Sequence, residues 1–216
     1  MPDGPIRDDF AYTNFGLFDF FRRDYRVHFI FGVPMFLSRY RNTALALALS
    51  LMPTFSVAQD AFGTLTARLD GVERTWFLTA LEEESQSFGM TVTAASMKSF
   101  SLWGQPTAET VAEVKDSLLL GFDVMTVGGS KIPLNVSLTY LADGWKSGWL
   151  ANEEDQIVFS LTTLEEVGGG LFVEGSFTAA AHYSDTLVSG QVDPSQTMQI
   201  EGSFSATLPK ALLKDQ

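Results

Sequence analysis

Ile132-Pro133-Leu134-Asn135-Val136-Ser137-Leu138-Thr139-Tyr140 alternates apolar and small or polar residues over nine positions. Side chains on an extended chain point to opposite faces in turn, so this period of two places Ile132, Leu134, Val136, Leu138 and Tyr140 on one face of a half-buried strand. A second stretch repeats the pattern: Met198, Ile200, Gly202, Phe204, Ala206 and Leu208 alternate with Gln199, Glu201, Ser203, Ser205 and Thr207. Shorter alternating runs occupy 63–69, 74–81, 88–95, 98–103, 118–127, 156–164, 171–183 and 186–192. Between them stand residues suited to chain reversal: Asp70-Gly71, Gly128-Gly129, Asp143-Gly144, Gly168-Gly169-Gly170 and Asp193-Pro194-Ser195. Many strands at close spacing predict an all-β fold, an antiparallel β-sandwich with a β-barrel as the alternative. The one helical expectation is Pro106 to Lys115, where Thr110 and Glu113 have capping-box spacing and Val111 and Val114 share a face.

Upstream of this region the chain reads as a cleavable signal peptide over residues 35–58. Met35 is followed by Arg39 and Arg41, then by a charge-free apolar run from Thr43 to Phe55, then by Ser56-Val57-Ala58. Small residues at the third and first positions before the cut place cleavage between Ala58 and Gln59. The run contains Pro53 and falls short of the roughly 20 apolar residues that span a bilayer, so no stable transmembrane segment is expected in the mature chain. Residues 1–34 are rich in phenylalanine (Phe10, Phe15, Phe18, Phe20, Phe21, Phe29, Phe31) and precede the basic region. We expect them to be a non-native extension, with translation starting at Met35. Residues 59–210 then form one β domain and 211–216 a frayed tail.

Composition narrows the function classes. The 216 residues are 45% hydrophobic and 19% charged, as in a globular chain, with a formal net charge of -12. That acidity argues against nucleic acid or anionic lipid as a partner, since phosphates are met by clusters of Lys and Arg, and leaves neutral or cationic partners open. There is no cysteine, which excludes thiol catalysis, thiolate metal sites and disulfides; stability has to come from packing and sheet hydrogen bonds. Of the two histidines, His28 lies in the discarded segment and His182 stands alone in the mature chain beside Tyr183, read as an edge histidine. The runs Glu82-Glu83-Glu84 and Glu153-Glu154-Asp155 lack the spacing and Gly of a calcium loop and read as solvated loops. Asn135-Val136-Ser137 is a glycosylation sequon inside an expected strand. No catalytic residue, no metal ligand and no cofactor is assigned.

Two segments echo one another, Val173-Glu174-Gly175-Ser176-Phe177-Thr178-Ala179 and Ile200-Glu201-Gly202-Ser203-Phe204-Ser205-Ala206, as strands in equivalent sheet positions would. The opening Gly63-Thr64-Leu65-Thr66-Ala67-Arg68-Leu69-Asp70-Gly71 with Trp76, together with the closing Gly202-Ser203-Phe204-Ser205-Ala206, resembles exported (periplasmic) β-sandwich domains of uncharacterised activity. The resemblance implies an exported β-sandwich, periplasmic or extracellular, and no catalytic residues.

The densest aromatic cluster is Asp143-Gly144-Trp145-Lys146-Ser147-Gly148-Trp149. If it is extended, Trp145 and Trp149 face one side and form a platform for a small-molecule or glycan ligand; otherwise they cap the core. The function expected is that of a non-catalytic binding or envelope-associated module, with a carboxylate-dependent hydrolase or a barrel carrying an apolar ligand as alternatives.

Overall fold

The computed structural model describes residues 60–81, 84–152 and 156–215. The expected cleavage site at Ala58 and Gln59 lies outside these residues, as do Glu82, Glu83 and the whole Glu153-Glu154-Asp155 run. Strands dominate and no α-helix occurs among the described residues: β1 (Asp60–Leu69), β2 (Val72–Ala80), β3 (Phe88–Val92), β4 (Met97–Gln105), β5 (Ser117–Val127), β6 (Ser130–Trp145), β7 (Gly148–Ala151), β8 (Ile157–Val167), β9 (Gly170–Ser184), β10 (Asp193–Leu208) and β11 (Leu213–Asp215).

All of these strands join one mixed sheet in the order β11-β3-β4-β2-β1-β10-β9-β7-β6-β5, with β8 on β9. Because β4 also pairs with β5, the hydrogen bonding runs β1-β2-β4-β5-β6-β7-β9-β10 and back to β1. Two separate sheets, as the expected sandwich would have, are not delimited by the pairing. The circuit repeats itself: β1–β2, β2–β4, β3–β4 and β4–β5 correspond one for one to β6–β7, β7–β9, β8–β9 and β9–β10. The hairpins β1–β2, β5–β6 and β8–β9 turn on Asp70-Gly71, Gly128-Gly129 and Gly168-Gly169, each pair having positive φ at both residues, the backbone whose twist matches that of the flanking strands.

The inward row of β10 is as its alternation predicts, with Ile200, Phe204, Ala206 and Leu208 buried against Leu65, Leu69, Val173 and Phe177. In β6 the phase breaks. Asn135 takes φ 50° and the register with β5 shifts between Gly121 and Asp123. Leu138 and Tyr140 therefore face in, opposite Leu120 and Leu118, whereas Leu134 and Ile132 pair with outward-facing Asp123 and Met125. Ile132 is consequently exposed. The echoed segments are neighbours, and the structure gives their likeness a packing reason: Gly175 lies opposite Phe204 and Gly202 opposite Phe177. A β-carbon on Gly175 would sit 2.7 Å from Phe204 Cζ, and one on Gly202 2.9 Å from Phe177 Cζ. Each glycine leaves room for the other strand's ring.

Three other expectations are corrected. Residues 106–115 form no helix, and the groups a capping box would use are engaged elsewhere: Glu113 N–H donates to Gln105 Oε1 (2.7 Å), the Thr110 hydroxyl donates to the Thr107 carbonyl (3.2 Å), and Glu113 Oε1 accepts from Lys115 N–H (3.1 Å). Thr186 to Val192 is no strand; a 3-10 turn over Leu187–Ser189 drives Leu187 into a buried position. Residues 211–216, expected as a tail, include Leu212, which is buried, and β11, which pairs in parallel with β3. No helix among the described residues is long and apolar enough to cross a membrane.

The reciprocal glycines generate a prediction. Gly175→Ala and Gly202→Ala should each lower unfolding free energy by about 1–3 kcal/mol, since an overpacked core must shift rings and backbone; urea unfolding of the purified variants measures it.

Candidate functional site

The inward row of β2 is Leu78, Trp76 and Arg74: the first two are buried, and Arg74 is paired in register with the inward-facing, buried Ala67. A cation thus occupies a position that is apolar elsewhere along the row. It lies toward the end of the circuit where β5 and β7 begin and β9 ends. Tyr140 from β6 is buried there, Trp149 of β7 is its register partner, and Tyr183 of β9 is the register partner of Trp149. Trp149 and Tyr183 meet edge to face at 5.3 Å between ring centres, and Tyr140 meets Trp76 at 6.1 Å.

Asp116, just before β5, completes the cluster. It takes φ 60°, a left-handed backbone that asparagine and aspartate adopt more readily than most residues. Its N–H donates to the Leu141 carbonyl (2.7 Å), and its own carbonyl accepts from Trp76 Nε1 (2.6 Å). So fixed, its Oδ1 accepts a 2.6 Å hydrogen bond from the Tyr140 hydroxyl. Arg74 Nη1 donates to the same hydroxyl oxygen at 2.9 Å and reaches Asp116 Oδ1 at 3.4 Å, while its guanidinium lies 5.9 Å from the centre of the Tyr140 ring. Arg74 and Asp116 keep 46% and 45% of their side chains exposed. The Tyr140 phenol is pushed up to about 12, first by burial and then by the Asp116 carboxylate, with Arg74 opposing.

Trp145 and Trp149 are not brought together as one platform. The chain reverses across Asp143 to Ser147, with Gly144 at φ 62°, Lys146 N–H donating to the Asp143 carbonyl (3.4 Å) and Asp143 N–H to the Ser147 carbonyl (3.1 Å), and the two rings belong to different clusters. Trp149 packs on the main core. Trp145 packs on the other face of the sheet, at 5.7 Å from Trp103, in a group with Leu141, Leu150 and Leu187 that the loop residue Val114 helps to cover.

His182 Nδ1 lies 3.2 Å from Thr197 Oγ1. The nearby Asp193 carboxyl is held below its usual range by hydrogen bonds from the Ser195 hydroxyl, Gln196 and the Ser195 N–H. Among the described residues no three of His, Asp and Glu gather as metal ligands.

Sequence reasoning missed Arg74, Asp116 and Tyr140 as a group. Arg74 had a signal, a charge on the apolar phase of an alternating strand; Asp116, set in a loop beside Lys115, had none. No protein-family model, no curated protein and no solved structure matches this chain.

The buried phenol sets an alkaline limit. Tyr140 ionises near pH 10 in the unfolded chain and near 12 in the folded one, so the fold binds the proton more tightly and loses stability as pH rises from about 10 to about 12. Phenolate absorbance should show one late-titrating tyrosine that disappears in Tyr140→Phe; a titration unchanged by that substitution would contradict the network.

Proposed function

We propose that this chain is exported, losing residues up to Ala58, and that its mature domain is a non-catalytic binding module. Its sheet is a flattened barrel, and its ligand, a small molecule or glycan, is taken at the end where Trp149 and Tyr183 stand. The observation that carries this reading is the half-buried aromatic pair Trp149 and Tyr183, set beside the buried Tyr140 and the exposed Arg74. Aromatic rings with one face packed and another accessible suit the apolar faces of sugars and other flat groups.

An apolar cargo inside the circuit is the weaker alternative, because side chains occupy the interior. Leu65, Leu78, Leu102, Leu118, Val173 and Ile200 are all fully buried there. Even the inward glycines are closely met: a β-carbon on Gly104 would sit 2.6 Å from Trp76 Cβ. The acidic balance keeps such a module soluble.

The test joins location to binding. Protein recovered from the native host should begin at Gln59 or Asp60; a mature chain that retains residues 35–58 contradicts export. On a panel of neutral and acidic oligosaccharides, the mature protein should bind at least one class. Trp149→Leu or Tyr183→Leu should weaken that binding about tenfold or more, with the melting temperature of each variant recorded alongside. Binding indifferent to both substitutions, or no binding to any member, would contradict the site.

A further inference from the structure

Resting on the binding reading above, we infer that the ligand carries a carboxylate, as in sugars of the uronic-acid class, and that Arg74 receives it in the position Asp116 now partly fills. In a chain with 26 acidic and 14 basic residues, an arginine on the inward row of a strand is a specific placement. Its pairing with Asp116 is incomplete. The carboxylate gives its close contact, 2.6 Å, to the Tyr140 hydroxyl and meets Arg74 only at 3.4 Å, through Nη1 alone. Charge-assisted bonds between guanidinium and carboxylate normally close to about 2.7–2.9 Å and favour two parallel contacts. The guanidinium is instead held by Tyr140, through its hydroxyl at 2.9 Å and across its ring, with nearly half of the side chain open to solvent. That is a positioned cation whose paired donor geometry is not used by its own neighbour.

The surroundings fit the rest of such a ligand. Tyr140 links Arg74 to Trp149, its register partner, and Trp149 to Tyr183, so a carboxylate on Arg74 lies at the same end as rings on which a pyranose can stack. Asp116 is held in a left-handed backbone by Trp76 and Leu141, a conformation of some cost kept by its surroundings. Fixed there, it orients Tyr140 and sets a negative charge against weakly matched anions, so that only a ligand offering the paired geometry displaces its contact with Arg74.

The experiment uses the mature protein with oligomers of galacturonic acid and with the same oligomers fully methyl-esterified, which keep the rings and lose the charge. Binding is measured by calorimetry for the native chain, Arg74→Gln, Asp116→Asn and Trp149→Leu. Asparagine tolerates the left-handed backbone and still accepts from Tyr140, so Asp116→Asn leaves the fold intact while removing the competing charge. The native chain should bind the acid form at least about tenfold tighter than the ester, Arg74→Gln should bring the two to equal affinity, and Asp116→Asn should tighten the acid form several-fold with no change for the ester. A merely structural Arg74 gives no such gain. Equal binding of acid and ester that still depends on Trp149 overturns the carboxylate and leaves the binding site standing. No binding of either form overturns it too, and the oligosaccharide panel then decides whether the binding reading falls with it.

Discussion

The pairing of β1 with β10 is the constraint on which this structure depends. Gly63 through Leu69 run antiparallel to Ala206 through Ile200, joining the first long strand to the last and turning a sheet with two long edges into a circuit. An unpaired edge exposes a row of N–H and C=O groups that recruit other chains, and closure removes it. With no cysteine to staple the ends, hydrogen bonds between strands far apart in sequence do this work. Where an edge remains it is covered or charged. β11 lies along β3, Lys131 donates from β6 to the Leu164 carbonyl of β8, and the acidic Glu165 and Glu166 stand exposed near the end of β8.

Closure has a packing consequence. Inward side chains in a narrow interior must match ring to gap, and the Gly175–Phe204 and Gly202–Phe177 pairs do so between the neighbouring strands β9 and β10. Phe204 continues the stack to Phe159, at 5.6 Å, and to Phe122, at 5.5 Å, so the middle of the circuit is solid aromatic core. Chemistry is displaced from that core to the end, where Tyr140 and Trp149 are less tightly enclosed and the inward row admits Arg74. The correspondence of β1–β5 with β6–β10 places β2 and β7 in equivalent positions, and from these come Arg74 and Trp149, the charged and the stacking members of the site.

Strand content was legible because alternation and two-residue glycine turns are local signals, and β10 obeys its pattern along the whole core-facing stretch. Other features are not local. Asn135 shifts the phase of β6 through a bulge that no alternation announces, and so reverses the facing of Ile132 and Leu134. The capping-box spacing at Thr110 and Glu113 is real in the sequence, yet the Glu113 N–H bonds to Gln105 and the Thr110 hydroxyl to Thr107. Trp145 and Trp149 would share a face only if Asp143 to Trp149 were extended. The reversal expected at Asp143-Gly144 is there, and because it interrupts the stretch the two rings fall on opposite faces. Tyr140 was legible as a core residue but not as an acceptor for Arg74, since the partner, Asp116, is brought there by β5.

The central claim is closure, and paired cysteines in this cysteine-free chain test it directly. Thr66 and Ser203 are register partners on β1 and β10, and Ser203 is in turn the partner of Ser176 on β9. Facing residues on adjacent strands hold their β-carbons about 4.5–5.5 Å apart, whereas two strands' separation is roughly twice the inter-strand spacing of about 4.8 Å. Mild oxidation should therefore form an intramolecular disulfide in Thr66→Cys/Ser203→Cys, seen by mass spectrometry, and none in Thr66→Cys/Ser176→Cys. A cross-link in the second pair and not in the first would contradict the closed circuit and the site that depends on it.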